Sequence, residues 1–171
     1  MTTFLLTLIY SIMQQIEFDF ENVGGLRHCY AIPVASFQGT EVDIVTNLHQ
    51  LRELVSPEDV IAIPMYADDT FSFGEEDDEE DGNKVYDVNI DGIIPKAGLN
   101  PLLIEKLSRG EWIVLSEDNN GIIRLSGTKE IPLRCKTTSA TGTTYTDRSE
   151  TAFRFHAVEM QPSLLMEDID I

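Results

Sequence analysis

The chain has 171 residues, 42% of them hydrophobic, and a formal net charge of −18 at pH 7. That length supports one good core and not two. An acidic excess of this size excludes a duplex-DNA reader, which needs clustered Lys and Arg. The excess is uneven: residues 1–83 hold 17 acids and 2 bases, whereas residues 84–171 hold 13 acids and 10 bases. Partners steered by charge would be basic surfaces or cations. Cys29 and Cys135 are too few for a disulfide framework and lack the Cys-x-x-Cys spacing of a zinc site, so reduced, buried thiols are expected.

Thr3-Phe-Leu-Leu-Thr-Leu-Ile-Tyr-Ser-Ile12 is apolar, but it has no basic n-region and is too short to span a bilayer. Met13 follows and opens a clean strand. Residues 1–12 are therefore expected to be an upstream start artefact or a disordered leader, ahead of one β-rich domain over residues 13–160. Ile16, Phe18 and Phe20 alternate with Glu17, Asp19 and Glu21, the pattern of a half-buried strand. Asn22-Val-Gly-Gly25 turns the chain, and Leu26–Val34 is the expected hairpin partner. Between Thr46 and Val55, the spacing of Leu48, Leu51, Leu54 and Val55 predicts a short helix ending near Ser56-Pro57, although Val42, Ile44 and Val45 before it prefer strand.

Glu75 to Asp81 is an unbroken run of seven carboxylates between Gly74 and Gly82. Mutual repulsion and the lack of apolar residues predict a mobile acidic loop over residues 74–83. Lys84 to Pro95 resumes strand alternation, with Tyr86, Val88 and Ile90 on one face and Asp87 and Asn89 on the other. Asn100-Pro101 supplies an N-cap and an N1 proline for a helix over Leu102–Leu107. Strands follow near Glu111–Ser116, Ile122–Ser126, Ile131–Lys136 and Ala152–Met160, the first two joined by the hairpin signal Asp118-Asn-Asn-Gly121. Trp112 and Val114 alternate with Ile113 and Leu115, so that strand is apolar on both faces and requires cover on both. In the last strand Phe153, Phe155 and Ala157 oppose Arg154 and His156. Residues 161–171 mix Leu164, Leu165, Met166 and Ile169 with acids and read as a C-terminal arm. The expected fold is mainly β, an antiparallel sandwich or barrel-like structure with one or two short packed helices.

Asp87-Val-Asn-Ile-Asp-Gly92 copies the first half of a calcium loop, with Asp87, Asn89 and Asp91 as the oxygen donors. The twelfth position, which needs a bidentate Glu, is Gly98, and a strand ending in an Asp-Gly turn is the preferred reading. The acidic run could hold divalent ions loosely, but a solvated charged loop is preferred there too. His28 and His49, with His156 and the two cysteines, make no recognisable metal or nucleophilic motif, and phosphate-loop and dinucleotide signatures are missing. No catalytic residue and no cofactor is therefore assigned. Arg124, Arg134, Lys136, Arg148 and Arg154 give the later strands a basic component, so copies could attract head to tail. Ordinary surface charge is the equal alternative.

The succession Leu107-Ser-Arg-Gly-Glu-Trp-Ile-Val-Leu, Glu-Asp-Asn-Asn-Gly121, Arg124-Leu-Ser-Gly127, Pro132-Leu-Arg, Thr141-Gly, Arg148 and Phe153–Phe155 resembles small β-sandwich structural proteins of tailed bacteriophages and prophages. These are tail or head–tail neck components that build rings or tubes. The likeness covers roughly residues 84–160 and, more loosely, residues 13–34. It implies a non-enzymatic virion or tail assembly subunit, located in the virion and in the host cytoplasm during assembly. Its partners would be copies of itself and neighbouring virion proteins, with no membrane and no direct duplex binding. On this reading Leu164, Leu165, Met166 and Ile169 would anchor on the next protomer by strand addition. The acidic run and the arm lie outside the likeness, so no family contacts carry over to them. The alternative is an acidic inhibitor or nucleic-acid mimic, whose Glu75, Asp77, Asp78 and Asp81 would occupy a basic groove on a host protein.

Overall fold

A computed structural model of the chain describes residues 23–64, 71–80, 82–95, 101–140, 150–169 and 171. The strand expected around residues 16–20 lies outside them. The elements run β1 (Leu26–Pro33), β2 (Thr40–Val42), β3 (His49–Leu51), a 3-10 turn at Pro57–Asp59, β4 (Ile61–Ala62), β5 (Phe71–Glu80), β6 (Asn83–Pro95), α1 (Pro101–Arg109), β7 (Glu111–Asp118), β8 (Ile123–Ser126), β9 (Leu133–Ala140), β10 (Glu150–Glu159) and β11 (Leu164–Met166). The fold is thus mainly β with one short helix among the described residues, as the sequence predicts.

The strands join in one sheet of order β2-β3-β11-β8-β7-β9-β10-β6-β5, with β1 laid along β7 and β4 along β1. β7 is the pivot. Trp112 through Leu115 are all buried, and successive side chains enter two different cores. Trp112 and Val114 join Cys29, Ala31, Val88, Ile90, Phe153 and Phe155 in the first core, which β5, β6, β9, β10 and α1 enclose. Ile113 and Leu115 join Ile32, Phe37, Leu54, Leu125 and Met166 in the second. A strand period of two accounts for this sorting, because neighbouring side chains leave the backbone on opposite faces.

Local chemistry sets the ends of β7. At one end Asp118 accepts the N–H groups of Asn120 and Ile122 at 2.9 Å each, and Gly121 takes φ +80, which reverses the chain into β8. At the other end α1 buries Leu107, and its last turn closes with Gly110 N–H on the Lys106 carbonyl at 3.0 Å. The Trp112 indole N–H then donates to the Leu107 carbonyl at 2.9 Å, tying helix to strand. Gly110 is required there: a Cβ would lie 2.4 Å from the Trp112 ring.

Four expectations change. The helix expected over Thr46–Val55 is not formed. Residues 43–47 make a tight turn, with Asn47 N–H on the Asp43 carbonyl at 2.8 Å and Asn47 at φ 57, and β3 follows. Leu51 and Leu54 still reach the second core, so the apolar spacing reported burial and not helix. The acidic run is the outer half of β5, paired with β6 residue by residue from Glu75↔Val88 to Glu80↔Asn83. Antiparallel pairing satisfies its backbone while every side chain from Glu75 to Glu80 stays exposed to solvent. Asp91-Gly92 is no turn, because β6 continues to Pro95 and the Phe71 ring occupies the space a Gly92 side chain would need, 1.9 Å from its Cβ position. Finally, the C-terminal segment is docked in cis: β11 pairs antiparallel with β8 and parallel with β3.

That docking gives the second core its outer layer. Met166 is 4% exposed, and Leu164 and Ile169 pack beside it. Replacing Met166 with Ala should lower the unfolding free energy by about 2–5 kcal/mol in urea titrations. A loss below about 0.5 kcal/mol, within the range of surface substitutions, would mean that the segment does not cover the core.

Candidate interaction surface

The outer face of β5, β6, β10 and β9 carries a graded charge. Alternation places Glu76, Asp78 and Glu80 outward, opposite in direction to the core residue Phe71. β6 adds Asp87 directly across from Glu76. β10 supplies Arg154, which pairs with Asp91, and His156, whose Nε2 lies 3.2 Å from Asp87 Oδ1. The Asp91 carboxylate, by hydrogen bond and by charge, raises the Arg154 pKa further. On β9, Lys136 stands opposite Arg154 and Arg134 opposite His156, with Arg134 3.1 Å from Glu111. The face therefore turns from acidic at β5 to basic at β9.

Among the described residues β5 pairs with β6 alone, which makes it an edge of the sheet. The last β10 pairing on β6 is Glu159↔Tyr86, so among the described residues 78–80 and 83–85 pair only with each other, as a two-stranded ribbon. Asp77 forms a 2.7 Å pair with Lys84, whose hydrogen bond and charge hold the carboxyl below its usual range. The Asp78 carboxylate accepts the Glu79 N–H at 2.8 Å. Asp81 lies outside the described residues.

Of the four apolar tail residues assigned to contacts between protomers, Leu164, Met166 and Ile169 are engaged in cis and Leu165 alone is exposed. The sequence reading missed Ile44 and Val45, 96% and 92% exposed at the tip of the β2–β3 turn. Their β-branched composition pointed to strand, and only the turn at Asp43 leaves them in water.

The calcium-loop arrangement is not formed. Asp87, Asn89 and Asp91 occupy alternate positions on extended β6, about 6.8 Å apart from one to the next, so their oxygens form a line and do not converge on a cation. Asn89 also donates to Asp87 at 2.6 Å. Among the described residues, no group of three or more His, Cys, Asp or Glu side chains is arranged to hold a metal ion. The histidines lie apart: His28 stands 3.7 Å from Glu117, and His49 bonds Thr40 at 3.0 Å. Cys29 and Cys135 sit in the first core, and burial pushes each thiol up to about 12, with Cys135 adding to the effect on Cys29. Such thiols stay protonated and are poor nucleophiles.

A polar seam closes the gap between β5 and the C-terminal segment. Glu75 accepts the Ser163 N–H at 2.7 Å, the Ser126 and Ser163 hydroxyls lie 2.8 Å apart, and the Arg124 guanidinium rests over the Phe73 ring at 5.0 Å. Burial works against ionisation of Asp118, but the Ile122 N–H, the Arg124 guanidinium and the Asn120 N–H outweigh it and hold its carboxyl below the usual range. Glu159, 5% exposed, accepts the Gly127 N–H at 2.9 Å. Its burial pushes the carboxyl up to about 7 against that hydrogen bond, with Glu75 adding to the rise.

No family model, curated protein or solved structure matches the chain. Among the described residues no helix is long and apolar enough to cross a membrane.

Because Glu159 titrates near 7 in the folded chain and near 4.5 ordinarily, the folded state binds the extra proton between those values. Its stabilising contribution is complete below pH 4.5 and lost as pH rises through about 7. Between pH 5 and pH 8 the wild type should lose up to about 3 kcal/mol more stability than Glu159→Gln, measured by urea unfolding at both pH values. Parallel profiles for the two proteins would contradict this.

Proposed function

We propose that this chain is a non-enzymatic assembly subunit of a phage or prophage virion that associates head to tail with copies of itself into rings or tubes. The observation that carries the reading is the charge gradient across one continuous sheet face, ending at β5, whose acidic outer edge no other described strand covers. Two β5 edges cannot pair favourably through their outer halves, because carboxylate would face carboxylate from Glu75 to Glu80. The acidic edge blocks symmetric edge-to-edge association and favours a basic partner surface. The basic flank of α1, β9 and β10 lies on the same chain, so the contact between copies is heterologous, the kind that generates rings or filaments. The mainly β architecture with one packed helix agrees with what the resemblance to phage structural proteins implies.

A second reading, a nucleic-acid mimic, is favoured by one feature. The carboxylates sit on a paired strand at regular spacing, so they are presented in order to a basic groove.

Sedimentation velocity and electron microscopy at micromolar protein should find oligomers at low ionic strength. These should dissociate as salt rises past about 0.15 M, where the Debye length falls to about 8 Å. A protein that stays monomeric throughout at low salt would overturn the assembly reading and favour the mimic.

A further inference from the structure

The charge gradient has a particular seat at its basic end. Where α1 hands over to β7 and β1 turns away at its C-terminal end, an open groove of ≈ 680 Å³ lies between Pro33, Val34 and Ala35 on one wall and Lys106, Arg109 and Arg134 on the other. Its floor is rigid: Trp112 is 2% exposed, bonded to the Leu107 carbonyl and packed against Gly110 with no room for a side chain. Glu111 is the one carboxylate among the groove's lining side chains. We infer that this groove receives the acidic β5–β6 ribbon of a second copy of the chain, an inference that rests on the head-to-tail reading above.

Charge and shape select this occupant. The wall's cations already have partners in cis: Lys106 with Asp59 at 3.2 Å, Arg109 with Glu105 at 3.0 Å and Arg134 with Glu111 at 3.1 Å. Those side chains are half to four-fifths exposed, and exposed pairs of this kind contribute little and exchange readily. An incoming row of carboxylates therefore has little to displace. Residues 78–80 of the ribbon carry one acid each, pair among the described residues with β6 alone and have no apolar side chain to desolvate. β6 and β10 separate β5 from β9 in the sheet, so each copy presents ribbon and groove as separate surfaces. One copy can then give its ribbon to a neighbour while receiving another, which is the geometry of an extending assembly. Arg134 links the groove to Lys136 on the same strand and to Arg154 on β10, which extends the positive potential along the approach.

Two full-length variants separate the halves of the contact. The first, Glu76→Gln with Asp78→Asn, Glu79→Gln and Glu80→Gln, keeps the groove and removes four of the seven carboxylates of the run. Glu75 is left in place because it holds Ser163. The second, Lys106→Gln with Arg109→Gln and Arg134→Gln, keeps the ribbon and loses the groove's charge. Circular dichroism and urea unfolding first establish that both are folded. At low salt each alone should self-associate at least about 100-fold more weakly than wild type, while an equimolar mixture should form one-to-one dimers in sedimentation velocity. If wild type assembles and either variant alone assembles as strongly, the groove assignment is overturned while head-to-tail assembly through another surface stands. If folded variants are individually weakened but their mixture forms no dimer, the pairing of ribbon with groove is overturned. If wild type itself never associates, the assembly reading fails and this inference with it.

Discussion

Everything else in the molecule follows from β7 being apolar on both faces. A strand with Trp112, Ile113, Val114 and Leu115 in succession cannot leave either side in water, so it requires two layers of cover. One layer is formed by β5, β6, β9 and β10 with α1; the other is assembled from β8, β11 and the segment between β1 and β4. The second layer recruits pieces from distant parts of the chain, and it consumes the C-terminal segment. A tail that serves the core in cis is no longer a free anchor.

This division explains what could be read from the sequence. Strands with a single buried face declare themselves: Phe153, Phe155 and Ala157 against Arg154 and His156 is an alternation that few other structures produce, and Asp118-Asn-Asn-Gly121 is a turn by its own chemistry. The helix after Pro101 and the need for cover on both sides of Trp112–Leu115 were equally plain. The rest of the second layer was not, because β2, β3 and β11 are three residues each and hold together through partners elsewhere. Leu48, Leu51 and Leu54 mimic a helical stripe, yet Asp43 and Asn47 close a turn that precludes a helix. The apolar tail residues looked sticky for the right reason, and nothing local said that the surface they stick to belongs to the same chain.

The acidic run shows the opposite failure. Seven carboxylates in succession repel one another, which argues for an open loop when the run is considered alone. In the fold β6 offers ten residues of register, the side chains from Glu75 to Glu80 are exposed to solvent, and Lys84 reaches across to Asp77. Repulsion then acts outward, against a second acidic edge, and not against the strand itself. The polar seam of Glu75, Ser163, Ser126 and Glu159 was beyond sequence reasoning altogether, since the Glu75 and Ser163 that bond there are 88 positions apart. It leaves a buried carboxylate beside the docked tail, which couples the stability of that docking to pH.

The most direct test is native-state hydrogen exchange of the β7 amides from Ile113 to Leu115 in dilute, monomeric protein. If both faces are covered within one chain, these amides exchange only through global unfolding, and association changes them little. Fast exchange in the monomer, with protection appearing only as the protein associates, would contradict the account and return the second face of β7 to the contact between copies.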